Sequence, residues 1–159
     1  MDYENSKYAE IAGGLFKEGY NCAQAVFLAF SDLYNMDREM ALRLSSSFGG
    51  GLGRLREVCG AVSGMAMVAG MLYGYDNPKD YEGKSEHYAR VQELAKAYEK
   101  ENGSIVCREL LGLDKKREEP KPEQRTEEYY KKRPCEQLVR ISAGIMEEYI
   151  KNNPPVQVG

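Results

Sequence analysis

Cys22, Cys59, Cys107 and Cys135 are the residues of this chain best suited to chemistry, and their neighbours place each in the first turn of a predicted helix. A helix N-terminus presents unpaired N–H groups and the positive end of the macrodipole, which stabilise a thiolate relative to a thiol. The thiolate is the reactive form, so this placement points to thiol chemistry. Asn21 is a candidate N-cap before Cys22, and Ser104 can cap a helix holding Cys107. Pro134 suits the first helical position, with Cys135 next in line. The run Gly49-Gly50-Gly51-Leu52-Gly53 leads into the segment that carries Cys59. Against this stands the reading of free cysteine as a small buried hydrophobe.

No two of the four form Cys-x-x-Cys, so neither a thioredoxin-type pair nor a zinc knuckle is written locally, and any pairing is left to the fold. A helical bundle can bring first turns from different helices to one end. There two cysteines could form a disulfide, or all four could ligate zinc or an iron–sulfur cluster. Cys59 is the favoured nucleophile, because Arg54 and Arg56 stand just upstream to lower its pKa or bind an anion. Gly60 and Gly64 lie four apart on one helix face and leave room beside that thiol for a bound group or a neighbouring helix. Arg54, Gly60 and Gly64 are therefore the candidate cofactor contacts. Tyr73 and Tyr75 could line a pocket near Cys59, while His87, the single histidine, is expected on a solvated face.

These residues need helices to position them, and the hydrophobic periodicity is helical throughout. Tyr8, Ile11, Ala12, Leu15 and Phe16 recur at helical spacing, as do Ala25, Val26, Leu28, Ala29 and Leu33, so a helical hairpin opens the chain. Asp37 can cap a third helix through Met40, Ala41 and Leu44. The charge-free stretch from Val58 to Tyr75 is too rich in glycine and too polar for a membrane span and reads as the buried central helix. From about Glu82 to Lys100 a charged helix shows one apolar face with Tyr88, Val91, Leu94, Ala95 and Tyr98. A short helix over Ile105 to Leu111 and a last one from Cys135 through Tyr149 complete an all-α bundle. Residues 1–151 are expected to form one helical domain. Within it 114–133, dense in mixed charge with Pro120 and Pro122, reads as a solvated loop or short exposed helix, and 152–159 as a frayed tail.

A length of 159 residues with 42% hydrophobic residues suits one domain with a real core, which needs no disulfide staples. The net charge of -3 argues against a broad nucleic-acid surface, and one histidine excludes sites built from several imidazoles. Gly49 to Arg54 lacks the Gly-x-Gly-x-x-Gly spacing, and no Walker lysine motif occurs, so no nucleotide site is expected. The polar, acidic start leads to no apolar signal core. The expectation is a cytoplasmic protein, where cysteines are more often catalytic, redox-sensing or metal-binding than structural bridges.

The block Cys59-Gly60-Ala61-Val62-Ser63-Gly64 resembles the central block of the C_GCAxxG_C_C family, small bacterial and archaeal proteins to which a redox role is ascribed. Cys22 matches the family's cysteine before the block, and Cys107 and Cys135 the two after it. The family label places glycine before cysteine, where this chain has Cys59 before Gly60. What the resemblance implies is a thiol-based redox protein that acts by dithiol–disulfide exchange or electron transfer. No substrate or cofactor comes with it. Partners would be a thiol, a disulfide or a small redox molecule, and a homo-oligomer stays open. The alternatives are a protein whose cysteines hold a metal or iron–sulfur cluster and an interaction module with structural cysteines.

Overall fold

The computed structural model describes residues 2–113 and 117–156. Asp114 to Lys116, at the start of the charged segment, and the last three residues of the tail lie outside the described residues. The chain forms α1 (Lys7–Lys17), α2 (Cys22–Ala29), α3 (Arg38–Ser45), α4 (Gly49–Leu52), α5 (Gly60–Tyr73), α6 (Tyr81–Asn102), α7 (Cys107–Leu110), α8 (Glu127–Lys132) and α9 (Cys135–Asn152). Among the described residues there is no strand, only an isolated antiparallel bridge between Val58 and Val106.

The fold is all-α, and its centre is shared by two helices with little charge. In α2, Ala23, Ala25, Val26, Phe27, Leu28 and Ala29 are all buried, which accounts for nearly its whole circumference. Alpha helices buried all round carry no polar stripe, and this one has none. In the glycine-rich α5, Gly60, Ala61, Val62, Gly64, Met65, Val68 and Ala69 are buried, while Met71 near its end is 40% exposed. No helix of the described residues is long and apolar enough to cross a membrane. Around this pair pack α1, α6 and α9, each amphipathic with its apolar side inward, placing Phe16, Tyr98 and Met146 in the core. Each such side chain, fully buried, contributes about 1.5–3 kcal/mol over leaving it exposed.

Local chemistry fixes where the elements start. Asn21 accepts from Gln24 N while the Gln24 side chain accepts from Asn21 N, a reciprocal cap that sets Cys22 as the first residue of α2. Asp37 caps α3 by accepting from Met40 N, as its position in the sequence predicts. Two expectations shift. Ser104 accepts from Val106 N and stays outside the helix, because the bridge holds Val106 extended; α7 therefore starts at Cys107, not Ile105. Pro134 is the N-cap of α9, which makes Cys135, not proline, the first helical residue.

The glycine run makes an unusual turn. Gly50, Gly51, Leu52, Gly53 and Arg54 all have positive φ (68°, 69°, 73°, 57° and 69°), so the chain winds left-handed for one turn before Arg56, at 59°, does so again. For Leu52, Arg54 and Arg56 this costs roughly 1–2 kcal/mol each. Hydrogen bonds from Arg56 N to Gly50 O (3.1 Å) and from Glu57 N to Gly51 O (2.9 Å) hold the turn closed. At Gly51 no side chain would fit in any case: a Cβ there would stand 2.7 Å from Cys107 Cβ.

Candidate functional site

All four cysteines line one cavity of about 370 Å³. Three are the first residues of α2, α7 and α9, and Cys59 is the N-cap of α5. The four helix starts converge because the Val58–Val106 bridge ties two of them together: Cys59 N donates to Ile105 O (2.8 Å) and Cys107 N to Glu57 O (2.6 Å). Alternation along an extended segment then turns Cys59 and Cys107 to the face opposite Val58, which is 41% exposed, and into the cavity. On the other side, α2 lies so close to α5 that a Cβ on Gly60 would be 3.1 Å from Cys22 Cβ. Ser142 of α9 donates to Ala61 O (2.8 Å) and fixes α9 against the first turn of α5.

The four thiols are not equivalent. Cys22 and Cys135 stand together in the cavity and influence each other's ionisation, and Cys135 is held down to about 7 from an ordinary 9.0. The first cause is the neighbouring Cys22 thiol; the charges of Arg133, Arg125 and Arg56 add to it against the cost of burial. Cys22 is pushed up for the reciprocal reason, since it keeps the proton that the pair shares, and burial adds to the rise. Cys135 also stands at the head of the 18-residue α9, whose dipole favours a thiolate there. Cys59 is 4% exposed and pushed up to about 11 by burial, opposed by the Tyr98 hydroxyl 3.3 Å from its Sγ. Burial also raises Cys107, opposed by Arg56, whose Nη1 donates to its Sγ at 3.5 Å.

The family model described as "Putative redox-active protein (C_GCAxxG_C_C)" matches residues 20–149 of the 159, which takes in every cysteine. The chain belongs to this family. No curated protein and no solved structure matches it.

In this C_GCAxxG_C_C protein the sequence-derived candidates divide. Cys59 does reach the cavity, but the thiolate-favouring surroundings expected for it belong to Cys135. Arg56 serves Cys107 and not Cys59, and at 5% exposed it is far from solvated. Arg54 lines the cavity with its Nε donating to Glu119 O (2.8 Å) and its Nη2 paired with Glu118 (3.3 Å). Gly60 lines the cavity too, whereas Gly64 lies under α2, where a Cβ would meet Ala23 O at 2.7 Å; it serves a helix crossing. Tyr73 and Tyr75 are elsewhere: Tyr73 donates to Asn153 O, and Tyr75 packs on Tyr88 and His87. His87 is buried, not solvated, and accepts from Arg90 Nη1 at 3.0 Å; burial, with Arg90 beside it, lowers its pKa. Among the described residues no group of three or more His, Cys, Asp or Glu side chains converges to hold a metal ion.

The segment read as a solvated face is a wall of the site. Pro120, Pro122, Glu123 and Arg125 line the cavity, with Tyr129 of α8 and Arg133 beyond them. Glu118 pairs with Arg56 (2.6 Å) and Arg54 (3.3 Å), Glu123 pairs with Arg133, and Arg125 donates to Phe16 O (2.9 Å) and Tyr20 O (3.1 Å) at the end of α1. Periodicity carries no trace of these bonds, which span 10 to 109 residues.

The buried thiols make the fold base-sensitive. Cys59 releases its proton near 9.0 when unfolded but only at about 11 when folded, so its share of stability is present below pH 9 and is lost as the pH climbs toward 11. One such group contributes a slope of up to about 1.4 kcal/mol per pH unit. Between pH 9 and 10, Cys59→Ala should flatten the fall of the urea midpoint by one thiol's share. An unchanged slope would mean that Cys59 is not neutral in the folded protein.

Proposed function

We propose that this protein exchanges thiols with disulfides, with Cys135 as the attacking thiolate and Cys22 as the resolving thiol. The observation that carries the reading is that Cys22 and Cys135, the first residues of α2 and α9, face one cavity together, with the Cys135 pKa lowered. Cys135 Sγ attacks one sulfur of a disulfide RS–SR′, the S–S bond breaks, and R′S⁻ leaves with the electron pair. Cys22 then gives up its proton and attacks Cys135 Sγ, forming the Cys22–Cys135 disulfide and releasing RS⁻. The protein loses two electrons, the substrate gains two, and an external dithiol restores the reduced pair.

Cys59 and Cys107 have supporting parts in this reading. Both are raised, stay as neutral thiols at pH 7, and line the cavity, Cys59 against the Tyr98 hydroxyl and Cys107 against Arg56. A Cys22→Ser variant lacks the resolving sulfur, so one equivalent of bis(2-hydroxyethyl) disulfide should leave the adduct on Cys135, read by intact mass and peptide mapping. An adduct that maps to Cys59 or Cys107 would contradict the assignment of Cys135.

A further inference from the structure

We propose that the disulfide taken by this pair is a small, negatively charged molecule, and that protein disulfides are kept out; this rests on the thiol-exchange reading above. Size gives the first argument. The cysteines face a cavity of about 370 Å³, near the low end of small-molecule sites, which run from about 300 to 1,000 Å³. Its wall is the segment that carries Glu118 and Glu123, clamped at both ends by pairs to Arg54, Arg56 and Arg133, which narrows the way in for a folded protein's loop.

Charge gives the second. Arg54, Arg56, Arg125 and Arg133 all line the cavity, and two carboxylates serve the four. Arg54 and Arg56 share Glu118, and Arg133, 9% exposed in its side chain, holds Glu123. Arg125 has neutral hydrogen-bond partners: it donates to two main-chain carbonyls and stacks its guanidinium 4.1 Å from the Phe16 ring centroid. Its position is thus fixed by neutral groups, and among the described residues no carboxylate pairs with it. A positive field in a partly enclosed cavity concentrates anions and repels cations. Leu110, Leu138 and the prolines leave apolar surface for the carbon chain of the same molecule.

The test uses the reduced full-length protein and four oxidants: dithiodiglycolate (doubly negative), bis(2-hydroxyethyl) disulfide (neutral), cystamine (doubly positive) and insulin. Each rate of Cys22–Cys135 oxidation is divided by that of a free thiol with the same reagent, which removes intrinsic reactivity. The normalised anion rate should exceed the cation rate by about tenfold at low salt, shrink toward equality at 1 M salt, and be smaller in Arg125→Gln. Because the comparison is a ratio, a change in the Cys135 thiolate fraction cancels. Insulin should react far more slowly than the neutral reagent. A wild-type ratio of one or below overturns the charge preference, and insulin at the neutral rate overturns the exclusion. Oxidation by none of the four sinks the thiol-exchange reading, and this proposal with it.

Discussion

Cys135→Ser is expected to slow reaction with a neutral disulfide at pH 7 by roughly 6- to 80-fold and to abolish formation of any intramolecular disulfide. The range follows from ionisation and nucleophilicity together. At about 7 Cys135 is half thiolate, whereas a thiol at the ordinary 9.0 is about 1% ionised and one at about 11 far less. A more basic thiolate is intrinsically more reactive, with a Brønsted slope of about 0.4–0.5, and this recovers part of the loss. The net deficit is about 6-fold if Cys22 relaxes to its ordinary value and about 80-fold if only a thiol like Cys59 remains. Serine keeps the size and hydrogen-bonding capacity of the first residue of α9, so helicity should not change. Cys59→Ser, by contrast, should exchange within about threefold of wild type. If the two variants behaved the other way round, Cys59 would be the nucleophile and the role assigned to the pair would fall.

The second large effect lies in one helix and one type of substitution with opposite outcomes. Gly64→Ala on α5 should destabilise the protein by about 2–3 kcal/mol, because its Cβ would meet the backbone Ala23 O at 2.7 Å and Val26 Cβ at 3.0 Å. Backbone cannot rotate away as a side chain can, so α2 must shift and carry Cys22 with it. Gly70→Ala, on the same helix with nothing within 4 Å of its new Cβ, should stabilise by up to about 1 kcal/mol through helix propensity. In thermal melts of a chain this long, about 1 kcal/mol moves the midpoint by roughly 2–4 °C, so the pair should differ by several degrees. Equal melting points would mean that α2 and α5 do not cross at Gly64.

What could be read from the sequence follows the range of the physics involved. The caps at Asn21 and Asp37, the helical starts of Cys22 and Cys135 and the glycine spacing of the Cys59 block all depend on residues within four positions of one another. Signals of that range are written in the chain. Tyr98 was legible only as part of an apolar face; that this face brings its hydroxyl to Cys59, 39 residues away, depends on how α6 packs. The charged segment from Glu118 to Arg125 carries no apolar period, so its role as a wall is hidden in ion pairs with Arg54 and Arg56. Leu52, Arg54 and Arg56 at positive φ gave no warning either, because left-handed backbone is a glycine signal and these are not glycines. The same distance effect moved the arginines: upstream they suggested Cys59, but in three dimensions Arg56 meets Cys107, and Arg125 and Arg133 act on Cys135.

The most direct test of the central claim is to equilibrate the protein anaerobically in glutathione buffers from about −150 to −300 mV, alkylate, and map the labels by peptide mass. The account predicts that two labels are lost together and reversibly, and that they are those of Cys22 and Cys135, while Cys59 and Cys107 stay labelled. If no pair titrates in that range, or if the pair that does includes Cys59 or Cys107, the assignment of the redox couple is contradicted.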